Sequence, residues 1–91
     1  MSKTYLAIVD YSAPVFINAN SENMAFSMLA EYRHGRNDVF NLATKSMENM
    51  TQLITLYQTF YHEDIDVFIE VDNDKLFYRP HIDWIGDEKD E

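Results

Sequence analysis

Apolar and polar positions alternate most regularly near the C-terminal end, where Ile65, Val67, Ile69 and Val71 are interleaved with Asp66, Phe68 and Glu70. A period of two marks a strand with one buried face. Asp72-Asn73-Asp74 then offers turn-forming side chains before a second run, Lys75 to Arg79. The pattern predicts a hairpin of residues 65–71 and 75–79, with its Ile and Val row turned toward the core. Thr4 to Asp10 and Val15 to Ala19 are rich in β-branched and aromatic types and flank Tyr11-Ser12-Ala13-Pro14. They predict two further strands joined by a turn, with Pro14 at the start of the second, where its missing N–H is tolerated.

Between these hairpins the period changes to that of a helix. Met24, Ala25, Met28, Leu29 and Tyr32 recur at three and four residue steps after Ser21, a suitable N-cap, and before Gly35. A helix over 22–34 follows, with Glu22 at its positive end and Arg33 and His34 in its last turn. Val39, Leu42, Ala43, Met47, Met50, Leu53, Ile54, Tyr57 and Tyr61 continue the same spacing, which predicts a long second helix over 38–62, capped by Asn37 or Asp38. An alternative stays open: Val39 to Thr44 as a strand, with Ser46 capping a shorter helix. Residues 81–85, with His81, Asp83, Trp84 and Ile85, read as a closing segment that packs an aromatic anchor before Gly86. Asp87 to Glu91 reads as a mobile acidic tail.

The expected fold is therefore α+β, in the order β-β-α-α-β-β. A two-layer architecture follows, with an antiparallel sheet carrying both helices on one face, and residues 1–86 forming one domain. Ninety-one residues, 46% of them hydrophobic and 13 aromatic, suffice for one core. Only two glycines and two prolines leave little room for long loops. Cysteine is absent, which removes disulfides and thiolate chemistry. Met1 to Thr4 lack the apolar core of a secretion signal and no apolar run reaches the length of a membrane helix. A cytoplasmic location is the expectation.

Charge changes the picture most. Sixteen acids against seven lysines and arginines leave a net charge of −9. Residues 1–62 hold five acids and four bases, whereas residues 63–91 hold eleven acids and three bases. Such a surface repels nucleic acid and anionic membranes and attracts basic partners. Neighbouring carboxylates on one face of a strand stand roughly 7 Å apart and repel by about 0.6 kcal/mol before screening. Folding gains nothing from that crowding, although solubility and protection of a sheet edge do.

The candidate partner-binding residues are accordingly Glu63, Asp64, Asp66, Glu70, Asp72 and Asp74 of the hairpin, with Asp83, Asp87 and Glu88 beyond it. Phe68 and Phe77 lie on the face opposite the Ile and Val row, so they are expected to point outward as aromatic anchors among the charges. A homodimer or a second core layer is the competing use of the same two rings. His62 and His81 lie near acids, but neither matches a metal-ligand spacing. No nucleophile motif or phosphate-binding loop occurs, and no cofactor is implied. Met24, Met28, Met47 and Met50 read as core filler between the helices.

Small size, absence of cysteine, a one-sided excess of carboxylates at Glu63 to Asp74 and Asp87 to Glu91, and the lack of catalytic motifs together resemble the phage-encoded DNA-mimic inhibitors. Among these are the anti-restriction proteins of T-even-type phages. The resemblance implies a binding protein without enzymatic activity, whose acids stand where phosphates would lie on a nuclease or another nucleic-acid-binding protein. It also implies possible dimers that lengthen the charged face. The competing expectation is a structural or adaptor subunit whose acidity serves solubility.

Overall fold

A computed structural model describes residues 3–72 and 83–86. The elements run β1 (Lys3–Val9), β2 (Val15–Ala19), α1 (Glu22–His34), α2 (Asp38–Thr44), α3 (Met50–Tyr61), β3 (Ile65–Val71) and β4 (Asp83–Ile85). The fold is α+β, with three helices and a four-stranded mixed sheet in the order β3-β1-β2-β4.

Local chemistry explains most boundaries. Ser21 accepts a hydrogen bond from the Met24 amide at the start of α1, and Gly35 closes the helix at φ 83°, a conformation that glycine adopts without a Cβ penalty. The β1–β2 connection runs over residues 10–14, one residue longer than the expected turn at 11–14, and bends sharply at its start. Asp10 and Tyr11 both have positive φ, 53° and 58°, and the Ser12 amide donates to the Val9 carbonyl at 2.9 Å. Two consecutive positive φ values suit the right-handed twist of the flanking strands.

The single helix expected over residues 38–62 is two helices, and residues 39–44 form no strand. After Thr44 the chain tightens into i→i+3 bonds, with Ser46 donating to Ala43 at 3.2 Å and Met47 to Thr44 at 3.1 Å. Asn23 of α1 reaches across and donates to the Thr44 and Met47 carbonyls, satisfying acceptors that the break exposes. Asn49 then caps α3 by accepting from the Gln52 amide.

The sheet is mixed where an antiparallel one was expected. β1 pairs antiparallel with β2 and β3, but β4 runs parallel to β2, with Phe16 opposite Trp84. Their rings lie 4.6 Å apart. Gly86, at φ 90°, lets the chain leave β4 against the Asn18 carbonyl: a Cβ there would stand 2.2 Å from that oxygen. The expected hairpin partner, residues 75–79, lies outside the described residues, as do the tail, Asp74, Phe77, Asp87 and Glu88.

Register decides which face is buried. Tyr5, Ala7 and Val9 of β1, Val15, Ile17 and Ala19 of β2, and Phe68 of β3 are buried together with Phe26, Leu29, Phe40, Leu53 and Tyr57 of the helices. Ala7 lies opposite Phe68, so the smallest residue of β1 leaves room for the largest of β3. The helices therefore cover the Phe68 side, and Val67, Ile69 and Val71 face away from them. This reverses the expected orientation of β3. Of the methionines, Met28, Met47 and Met50 pack against the core, while Met24 is about half exposed.

Candidate functional site

β3 is an edge of the sheet among the described strands, and it positions most of the candidate acids. Asp64, Asp66, Glu70 and Asp72 are all exposed. Asp66 stands at a register shift opposite Ile8 and Val9, and its carboxylate accepts from the Tyr11 amide at 2.7 Å. The Asp10 amide donates to the Asp64 carbonyl at 2.8 Å. These bonds fasten the β1–β2 turn to the start of β3. They gather Asp10, Asp64 and Asp66 at one end of the sheet, around a Tyr11 that is 89% exposed. Glu70 lies four residues further along the strand, opposite Tyr5, which pairs it on the helix side of the edge.

Ion pairs among the described residues join Arg33 and His34 to Glu63, and Arg36 to Asp38. Asp64, Asp66 and Glu70 thus have no cationic partner among the described residues, and no lysine or arginine occurs between Lys45 and Lys75. All three are exposed, and Asp66 keeps one carboxylate oxygen on the Tyr11 amide.

Glu63 behaves differently from its neighbours, and it leaves the expected outward row. Arg33 grips its carboxylate with two nitrogens, Nε at 3.0 Å and a terminal nitrogen at 2.8 Å. His34 Nε2 lies 2.9 Å from Oε1, and the Tyr57 hydroxyl donates to the same oxygen at 2.9 Å. These partners, Arg33 foremost, hold the Glu63 carboxyl down at about 2. Burial and the neighbouring carboxylate push the Tyr57 hydroxyl up, so it serves as a donor. His34 also stacks on Tyr61, with rings 4.1 Å apart and nearly parallel. The cluster ties the end of α1 to α3 and to the chain entering β3. The helical stripe had marked Tyr57 and Tyr61 only as apolar positions, and Arg33 and His34 only as helix-end cations. No spacing rule brings together groups thirty residues apart.

Phe68 is likewise placed otherwise than expected. It is 4% exposed, stacked on Phe26 with ring centroids 4.0 Å apart, and is a core residue unavailable as a surface anchor. Asp83 is exposed but accepts a hydrogen bond from the Tyr32 hydroxyl. His62 closes α3 in the left-handed conformation, at φ 57°. Among the described residues no group of three or more His, Asp or Glu side chains is placed to hold a metal ion, and no helix is long and apolar enough to cross a membrane.

Comparison with protein-family models, with curated proteins and with solved structures found no match for this chain.

Proposed function

We propose that this chain is an acidic binding protein that occupies the basic, nucleic-acid-binding surface of another protein, a nuclease or a related DNA-binding protein, and inhibits it by competition. The observation that carries this reading is the set of exposed carboxylates Asp66 and Glu70 on an edge strand and Asp64 at its start, without a cationic partner among the described residues. A paired β scaffold fixes their spacing, so a partner meets an ordered array of charge rather than a mobile tail. Asp72 and Asp10 extend the array at its two ends.

Same-face residues of a strand repeat at roughly 7 Å, whereas duplex DNA carries one charge per roughly 1.7 Å of axis. One edge strand therefore reproduces part of a phosphate row, and binding draws on the remaining acids or on contacts of another kind. The test is displacement of a fluorescent DNA duplex from a panel of purified restriction nucleases and repressors, over a salt series. The reading predicts competition that weakens steeply as salt rises. Failure to compete with DNA at low salt for every member of the panel, or competition indifferent to salt, counts against it.

A further inference from the structure

The sheet has a second face, which no described helix covers. Leu6 and Ile8 of β1 lie opposite Ile69 and Val67 of β3, and Val71 lies opposite Thr4. Toward β2 the same face is already closed. Phe16 is buried beneath Trp84, and Thr4 donates to Asn18 at 2.8 Å. Toward β3 it remains open: Leu6, Ile8, Val67 and Val71 are partly exposed, and Ile69, near the middle of the row, is 49% exposed. None of these five helps form the core under the helices.

Among the described residues the surroundings of this strip are mainly acidic. Asp10, Asp64 and Asp66 stand at one end, Glu70 along the edge on its helix side, and Asp72 at the other end, where Lys3 is the one base among the described residues. From this charge pattern we infer that the Leu6–Ile8–Val67–Ile69–Val71 strip is a docking surface for a protein that presents an apolar patch ringed by lysines and arginines. The inference rests on the proposed function for the sign of the partner's charge and adds to it the source of affinity. Charges at the rim steer and select, while desolvated apolar contacts at the centre of an interface hold the complex. A second copy of this chain fits the strip less well. Two sheets packed face to face lie about 10 Å apart, close to the screening length at physiological salt, and would bring two acidic rims together on molecules that each carry −9.

Ile69→Thr keeps the β-branched shape and strand preference while removing apolar surface from the strip. The probe is a synthetic amphipathic helix with leucines along one face flanked by arginines, set against a scrambled peptide of the same composition and against polylysine. Titrated into the full isotope-labelled chain, the amphipathic peptide is expected to shift the amides of Leu6, Ile8, Val67, Ile69 and Val71. It should bind about tenfold more tightly than the scrambled peptide or polylysine, and Ile69→Thr should remove most of that advantage. Equal binding of all three probes, unaffected by Ile69→Thr, overturns the docking surface while leaving the charge reading intact. No binding of any cationic probe at low salt overturns both. Sedimentation showing a dimer that Ile69→Thr dissociates assigns the strip to a second copy and overturns the inference.

Discussion

Glu63 shows how the environment of one side chain separates it from four neighbours of the same charge. Its carboxylate receives donors from Arg33, His34 and Tyr57 and is 17% exposed. The carboxyl falls from 4.5 to about 2 on folding, so its contribution to stability is present above the ordinary value and is lost as the pH falls toward 2. Discounted for the water that reaches the pair, that contribution is about 2 kcal/mol. Glu63→Gln is expected to lower the free energy of urea unfolding by about that amount at pH 7, with the difference from wild type shrinking as the pH falls from 4.5 toward 2. A constant difference across that range would show that the carboxylate charge is not what the cluster uses. Phe68→Ala, in contrast, should cost about 3–5 kcal/mol whatever the pH, because it opens a cavity under Phe26 and Tyr5. Urea unfolding again measures it, and a loss below 1 kcal/mol would place the ring at the surface.

At the scale of elements, the chain depends on side chains that complete backbone hydrogen bonds where helices stop. Asn23, in the first turn of α1, serves carbonyls at the end of α2 and in the break before α3. Asn23→Ala takes the side-chain donor from both carbonyls, of which Thr44 keeps the Met47 amide, and is expected to cost about 1–3 kcal/mol, measured as a shift in urea midpoint at unchanged slope. Sequence periodicity made α1 legible to the residue, because Ser21, Arg33, His34 and Gly35 all agree with the apolar stripe. It failed between Thr44 and Asn49 because the apolar spacing runs straight through the break. What ends α2 is a set of tight turns and a contact from α1, neither of which has a local signature. The alternation of β3 was equally legible, but its orientation was not. Both faces of that strand carry large apolar groups, and the choice between Phe68 and the Ile–Val row depends on which lies opposite Ala7. The candidate site was legible as a run of acids. It was not legible that one of them, Glu63, is spent on folding, or that the apolar row beside the others is the uncovered one.

Across the whole molecule, the near-neutral first two thirds build the helical layer and the two central strands, while the acidic final third supplies an edge of the sheet. Surface charge is thus concentrated in the final third, although Glu63 and Phe68 of that third serve the fold. Neutralising Asp64, Asp66 and Glu70 together, as Asp64→Asn, Asp66→Asn and Glu70→Gln, is expected to change the Tm little, because relief of like-charge repulsion is set against a weaker bond from the Tyr11 amide to residue 66. The same triple variant gives the most direct measurement of the central claim. The wild-type and triple-variant proteins are immobilised in parallel, proteins are captured from the cell in which the chain is made, and the bound fraction is challenged with duplex DNA. The account predicts a nucleic-acid-binding protein retained by the wild type, released by duplex DNA or by raised salt, and missing from the variant. A partner retained equally by both chains, and indifferent to added DNA, would contradict it.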